Sequence, residues 1–196
     1  MTKLQRKNGD NTRKKIIQAA SHCFAKMGFS GTPMQRIADK ANINQALLYH
    51  HFKNKKMLWK TVKQHYVEKS SFQPIPVSNN LTLESVLSNI VEQSYELYTQ
   101  SPKLVRMLLW QQLEANEDGL MGGNSASPDQ WLEVLDTLQQ QNKIRQDMDI
   151  QMIMIWIASS LSGIALLKLS RFKKDKSVYS NYKEMLLIEF INLLHP

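Results

Sequence analysis

The chain has very little cysteine. Cys23 is the single cysteine in 196 residues, so no disulfide can form within the chain, and we expect a reducing compartment. Cys23 shares a helical face with Ile16, Ala19 and Met27, which indicates a small buried hydrophobe and not a reactive thiol. The N-terminus has basic residues with no apolar run behind them, so no signal peptide is predicted and a cytoplasmic location is expected.

Motifs that carry catalytic chemistry are also missing. The sequence contains no glycine-rich phosphate loop, no H-E-x-x-H, no G-x-S-x-G and no Cys/His spacing that suits a metal. No predicted nucleophile lies near a predicted base. We therefore predict no catalytic residue, no metal ligand and no cofactor, and we expect that the protein is not an enzyme.

Strand signals are absent as well, since no segment alternates with period two and no hairpin turn follows one. Helical periodicity recurs instead, and we predict an all-α fold of about nine helices. A polar, basic arm of residues 1–11 comes first, either disordered or reaching a DNA groove, and a helix over residues 12–27 ends at Gly28. The later helices are predicted at residues 55–70, 81–100, 102–117, 127–141, 150–172 and 177–194. Asn54 is the predicted cap of the helix at 55–70, and Asp147 or Asp149 is the predicted cap of the helix at 150–172. Ser127 is predicted to open a capping box at the start of the helix at 127–141.

Two short helices joined by a tight turn lie between residues 32 and 52. Thr32 and Gln35 have the spacing of a capping box, and Asn42 suits a turn that needs the left-handed conformation. Asn44 is placed to cap the second short helix, whose Leu48 and Phe52 point inward. The first short helix has one apolar face, formed by Met34, Ile37, Ala38 and Ala41. This arrangement, with a polar outer face, predicts a helix-turn-helix.

Positive charge is concentrated in the same part of the chain. Residues 1–56 contain 12 Lys or Arg against 2 Asp or Glu, whereas the rest contains 13 against 15. A basic quarter alone leaves solvated lysines and nucleic-acid binding about equally plausible. Because it coincides with the helix-turn-helix, we favour binding to double-stranded DNA.

The stretch GFSGTPMQRIADKANINQALLYHHFKNKKML, residues 28–58, resembles the DNA-binding signature of TetR-type transcriptional regulators. The resemblance implies that Thr32 and Lys55 contact phosphates and that Tyr49 reaches the DNA backbone through its hydroxyl. Thr32 can alternatively serve as a cap, and Tyr49 as a residue at the rim of the small core. Gln and Ala suit adenine and the thymine methyl respectively, so Gln45 and Ala46 are predicted to read bases. Leu47, where the family often has a small hydroxyl residue, and His50 complete the predicted DNA-binding set.

The resemblance also implies two domains, a DNA-binding domain at residues 1–54 and a larger domain at 55–196 for effector binding and dimerisation. Apolar residues surround much of the last helix, more widely than a stripe of about 100° that one core requires. In this family the last two helices form a four-helix dimer interface, and the predicted contacts are Ser162, Leu166, Met185, Ile188 and Leu193. An alternative for residues 150–167 is a marginal membrane span with basic flanks, disfavoured by its length and its polar residues.

A pocket in the second domain is implied by the same resemblance. Its predicted lining consists of Tyr66, Met107, Gln111, Trp131, Trp156 and Ser159, although Met and Trp at helical spacing can simply be core. Few charges lie on the apolar faces, so a hydrophobic, neutral or cationic effector is expected. The resemblance implies a bacterial, nucleoid-associated homodimer, more often a repressor than an activator, that binds a palindromic operator and is released when the helix starting near Lys55 moves. A non-specific DNA-binding protein, or a regulator controlled by a protein partner, is the alternative.

Overall fold

The structure is a computed structural model that describes residues 3–69, 75–78, 80–114, 128–169 and 176–196. These residues form nine α-helices and no strand, so the predicted all-α fold is confirmed. The helices are α1 (Lys3–Met27), α2 (Met34–Ala41), α3 (Gln45–His51), α4 (Lys55–Lys69), α5 (Leu83–Gln100), α6 (Pro102–Leu113), α7 (Pro128–Gln140), α8 (Ile150–Leu169) and α9 (Lys176–Leu194).

The first helix starts earlier than its apolar pattern indicates. α1 begins at Lys3, so the predicted arm over residues 1–11 is wrong from Lys3 onward. Residues such as Lys, Leu, Gln and Arg favour a helix even where no apolar stripe marks one. At the other end, Gly28 has a φ of 73° and its amide donates to the Phe24 carbonyl at 2.9 Å, which confirms the predicted glycine stop.

The turn between α2 and α3 has the predicted chemistry. Asn42 ends α2 in the left-handed conformation with a φ of 54°, a conformation that asparagine adopts more readily than most residues. The Asn44 side chain accepts a hydrogen bond from the Leu47 amide at 2.7 Å, so it caps α3 as predicted. Leu48 and Phe52 are both buried, in agreement with their predicted inward direction.

The other caps vary in how well they were predicted. Asn54 accepts from the Met57 amide at 2.8 Å and caps α4, as expected. Asp149, one of the two candidates, accepts from the Gln151 amide at 2.7 Å at the start of α8, whereas Asp147 pairs with Arg145. The predicted capping role of Ser127 lies outside the described residues. α5 begins at Leu83, after a capping box that the sequence analysis missed.

Contacts divide the chain into two compact units. The first unit comprises Met1–Tyr66 and Lys103–Gly122, and the second comprises Val67–Pro102 and Gly123–Pro196. In the first, α1 packs on α2, and the fully buried Phe24, Phe52, Trp59 and Met107 belong to one core. α2 and α3 are held on this core, which fixes the helix-turn-helix.

The second unit has its own core, built from α5, α7, α8 and α9. Fully buried members include Leu87, Ile90, Leu135, Ile157 and Phe190. Gly163 faces the Tyr182 ring, and the Tyr182 hydroxyl donates to the Ser160 carbonyl at 2.9 Å, so a small residue lets α8 and α9 approach closely. In the described part of the chain, no helix combines the length and hydropathy that a membrane span requires.

Candidate nucleic-acid interface

The helix α3 is anchored by one side chain and exposes most of the others. Leu48 is fully buried, whereas Leu47 is 37% and Tyr49 is 44% exposed. Ala46 and His50 are exposed too, and Gln45 is half-buried at the first turn. We call the side chains of Gln45, Ala46, Leu47, Tyr49 and His50 the recognition surface. A short helix with this exposure can enter a major groove while its buried side holds it on the core.

The structure corrects the capping role predicted for Thr32. Its side chain is fully buried, and the Oγ1 hydroxyl donates to the Gly28 carbonyl at 2.6 Å. The N-cap of α2 is Pro33, which makes no side-chain cap hydrogen bond, so the predicted capping box with Gln35 is wrong. The Gln35 amide instead donates to Asp39 at 2.7 Å. The phosphate contact predicted for Thr32 stays a prediction, and in this structure its hydroxyl is buried and engaged by the Gly28 carbonyl.

Lys55 contacts the turn that leads into α2. Its Nζ donates to the Thr32 carbonyl at 3.2 Å and to the Ser30 carbonyl at 3.4 Å. The same ammonium lies 4.6 Å from the centre of the Phe29 ring, a cation–π distance. Lys55 therefore connects the start of α4 with the turn before α2, a role that the sequence analysis missed.

The carboxylate of Glu114 contacts the same turn. Its Oε2 accepts from the Ser30 amide at 3.1 Å, and Oε1 accepts from the same amide at 3.3 Å. Gly28 leaves space for this contact, since a Cβ atom there would collide with the Glu114 carboxylate and lie 3.0 Å from the Trp110 ring. The end of α6 thus helps to fix the turn before the helix-turn-helix, and no local sequence signal predicted this pairing.

Aromatic and cationic contacts support α3 from behind. The Trp59 ring meets the Phe24 ring edge-on at 4.9 Å and the Phe29 ring at 5.6 Å, between their centres. The guanidinium of Arg13 lies 5.3 Å from the Phe52 ring at the end of α3. Phe24 and Trp59 belong to the same core as Leu48 and Phe52, and this core holds α3 on the first unit.

The His50 and His51 rings meet edge to face, with 5.6 Å between their centres. His51 is half-buried at the end of α3. Burial is the main cause that lowers its pKa, followed by the charges of His50 and Arg13. A lowered pKa favours the neutral ring, so His51 contributes little positive charge at neutral pH.

Large apolar side chains are exposed on both α8 and α9. On α9, Met185 is 48%, Ile188 is 57% and Leu193 is 37% exposed, and on α8 Met152 and Ile155 are exposed as well. We call these five side chains the apolar α8–α9 face. Ser159 continues the α8 side of it and Ser162 is half-buried, whereas the Leu166 side chain lies outside the described residues. Large apolar side chains clustered in this way are typical of an interaction surface.

The six residues predicted to line an effector pocket fall into both units. Tyr66, Met107 and Gln111 belong to the first unit, where Met107 is fully buried and Gln111 accepts a hydrogen bond at 2.7 Å from the buried ammonium of Lys63. In the second unit, Trp131 and Trp156 are partly buried against the core. The Trp156 ring meets the Phe190 ring edge-on at 4.6 Å.

Comparison with known proteins gives consistent matches. The profile of "Bacterial regulatory proteins, tetR family" matches residues 16–62, and that of "Tetracyclin repressor-like, C-terminal domain" matches residues 87–181. The "Probable acrEF/envCD operon repressor" of Escherichia coli (strain K12) is 27% identical over 179 residues, 84% of this chain and 79% of its own length. The "HTH-type transcriptional repressor NicS" of Pseudomonas putida is 29% identical over 115 residues, 57% of this chain and 53% of its own length.

Solved structures show the same fold. The transcriptional regulator FadR from Bacillus subtilis, crystallised in complex with stearoyl-CoA, superposes with a TM-score of 0.61 at 17% identity, and the match covers 93% of this chain and 99% of that one. At this identity the likeness shows the fold alone.

Proposed function

Because the chain belongs to the tetR family of bacterial regulatory proteins, we propose that it is a transcriptional repressor that binds a palindromic operator as a homodimer. The observation that carries the proposal is the recognition surface, an exposed helix face anchored by Leu48 on a rigid core. It lies in the basic quarter of the chain, which holds 12 Lys or Arg against 2 Asp or Glu. Repression follows the names of the relatives, since NicS and the Escherichia coli protein are both repressors by name.

The recognition surface divides into base-reading and backbone-binding residues. Gln45 and Ala46 lie in the first turn of α3, the part of a recognition helix that approaches base edges. Tyr49, 44% exposed, presents its hydroxyl for the DNA backbone, with His50 beside it. Lys55 is proposed to add a phosphate contact, since its ammonium has three donors and the carbonyls of Ser30 and Thr32 engage two.

Dimerisation is proposed through the apolar α8–α9 face. Met185, Ile188 and Leu193 on α9 join Met152 and Ile155 on α8, and burying them against a second copy would remove them from water. A two-fold axis between identical faces presents two recognition surfaces to DNA, so the half-sites are expected about one helical turn apart.

Selection of binding sites from random duplex DNA at physiological salt tests the DNA-binding part. The proposal predicts that wild-type protein recovers one palindromic sequence. Gln45→Ala should recover sites with relaxed preference at defined positions, whereas the matched exposed-surface variant Gln140→Ala, on α7, should recover the wild-type palindrome. Recovery of no shared sequence by wild-type protein would support a non-specific DNA-binding protein instead.

A small, mainly hydrophobic effector is proposed to release the operator by moving α4, which starts at Lys55. Trp131 and Trp156 are the proposed effector contacts, because both are partly buried aromatic rings in the second unit. Met107 and Gln111 already have packing and hydrogen-bonding partners in the first unit, which account for their burial. FadR binds stearoyl-CoA, so long-chain acyl compounds are reasonable first probes for this chain.

The effector proposal is tested by tryptophan fluorescence and DNA release together. A ligand that binds near Trp131 or Trp156 should change the fluorescence of wild-type protein and lower its affinity for the selected palindrome. Trp156→Phe should weaken that ligand while leaving DNA affinity without ligand unchanged. If only a protein partner from the same bacterium releases the DNA, the small-molecule proposal is wrong and the DNA-binding proposal still stands.

A further inference from the structure

A basic cleft lies between α1 and α2, with the start of α6 at one edge. It consists of two hollows of about 470 and 460 Å³ that share His22 and Lys40. The first hollow adds Lys26, Arg36 and Asp39, and the second adds Lys15 and Lys103. Both hollows are open to solvent, and the charged side chains that line them are exposed.

The charge of the cleft is almost entirely positive. Its ionisable lining comprises five cations, Lys15, Lys26, Arg36, Lys40 and Lys103, together with His22 and one carboxylate, Asp39. Asp39 accepts a hydrogen bond from the Gln35 amide, and the ion pairs Arg145–Asp147 and Lys183–Glu92 do not involve a cation of the cleft.

The positive charges of the cleft lower the pKa of a histidine inside it. The charge of Lys40 is the main cause that lowers the pKa of His22, followed by burial and the charges of Lys103 and Lys26. His22 is an exposed side chain, so burial alone does not account for the effect. Clefts lined by charge of one sign concentrate counter-ions of the opposite sign.

The α1 wall of the cleft lies away from the contact between α1 and α3, whereas the α2 wall ends at Ala41 and Asn42, beside the turn into α3. Arg13 on α1 contacts Phe52 at the end of α3. Lys15, Gln18, His22 and Lys26 recur every three or four residues on α1 and form one stripe. At about 100° per residue, that stripe lies roughly opposite Arg13 around the helix. The α1 stripe that lines the cleft is therefore on the side of α1 away from α3.

We infer that this cleft binds a small, multiply charged phosphate anion, such as a polyphosphate or the phosphate chain of a nucleotide. Arg36 offers a planar fork that suits phosphate oxygens, and the lysines offer point charges around them. The site is separate from the proposed contacts of the hydrophobic effector, so the two ligands would not compete for the same residues.

Nuclear magnetic resonance of the full-length protein, with histidine rings labelled with ¹³C, tests the inference. The probe is inorganic tripolyphosphate, compared with ATP and with sulfate at matched ionic strength. Tripolyphosphate should shift the His22 resonance and raise the pKa of His22, and it should leave the His50 resonance in place. Equal affinity for ATP would mean that the phosphate chain alone is recognised, and tighter ATP binding would mean that the nucleoside contributes, so either supports the site.

Two double variants, each of which removes two positive charges, test whether the position of the charges matters. Lys40→Gln with Lys103→Gln removes two cleft charges and should weaken tripolyphosphate about tenfold, which corresponds to about 1.4 kcal/mol. Lys14→Gln with Lys69→Gln removes two charges outside the cleft and should leave the affinity within about twofold, because exposed charges at a distance are screened. All four positions are exposed, so the folded structure should persist in both proteins.

Several results would overturn the inference. Equal weakening in both double variants, or equal shifts of His22 and His50, would mean that anions gather on the whole basic surface. Sulfate that binds as well as tripolyphosphate would mean that the cleft has no preference for a multiply charged phosphate. Displacement of tripolyphosphate from His22 by an unrelated DNA duplex would make the cleft a contact for the DNA backbone instead.

Discussion

Gly28→Ala is expected to destabilise the turn that leads into the helix-turn-helix. Gly28 has a φ of 73°, a left-handed conformation that costs an alanine about 1–2 kcal/mol. The added Cβ would also displace the Glu114 carboxylate from the Ser30 amide. Loss of that partly exposed hydrogen bond adds about 1 kcal/mol, so the free energy of unfolding should fall by about 2–3 kcal/mol in total.

A double-mutant cycle separates the two contributions. In a Glu114→Ala background the carboxylate is already absent, so Gly28→Ala should cost about 1 kcal/mol less than it does in the wild-type protein. The contact with the Trp110 ring is present in both backgrounds and cancels in the comparison. Urea unfolding followed by tryptophan fluorescence, at one fixed protein concentration, gives the four free energies. Additive effects of the two substitutions would refute the coupling between Gly28 and the end of α6.

Four further substitutions test other parts of the account. Tyr49→Phe should weaken binding to all DNA sequences alike, by about three- to tenfold, if the hydroxyl serves the backbone; fluorescence anisotropy with the selected palindrome and a scrambled duplex measures this. Gln45→Ala should cost about 1–3 kcal/mol on the palindrome and much less on the scrambled duplex, and an equal loss on both would exclude base reading. If the apolar α8–α9 face forms the proposed dimer, Ile188→Glu should convert it to monomers in sedimentation velocity, and the control Ile188→Leu should leave it dimeric. Lys40→Gln should raise the pKa of His22 toward its ordinary value, as measured by a resonance titration. Because the native state binds this proton less tightly than the unfolded state, the stability of the wild-type protein should fall as the pH drops through about 6.5. The variant should lose less stability over the same pH range.

Local patterns in the sequence predicted the helix-turn-helix closely. Asn42 in the left-handed turn, Asn44 at the cap of α3 and Leu48 as its buried anchor follow from residue type and spacing within a few positions. The cap of α4 by Asn54 belongs to the same class. These features depend on neighbours along the chain, so a single sequence contains the information that determines them.

Features that depend on distant partners were not predictable in this way. The spacing of Thr32 suits a cap of α2, but its hydroxyl donates a hydrogen bond to the Gly28 carbonyl, four residues earlier in the chain. Glu114 meets the Ser30 amide across 84 residues, and Lys63 meets Gln111 across 48. No periodicity encodes such pairings. The start of α1 at Lys3 was not predicted for a different reason. The first turns of this helix are polar, so no apolar stripe in the sequence indicates where the helix begins.

The measurement that most directly tests the account is the ratio of affinities for the selected palindrome and a scrambled duplex of the same composition, at physiological salt. Sequence-specific recognition through α3 predicts a ratio of about 10³ or more, since specific sites typically exceed non-specific DNA by that factor. The Gln45→Ala variant should show a lower ratio, whereas the Lys14→Gln variant should keep the wild-type ratio. A ratio near one, with both affinities falling steeply as salt is raised, would contradict the account and leave a protein that binds only the DNA backbone.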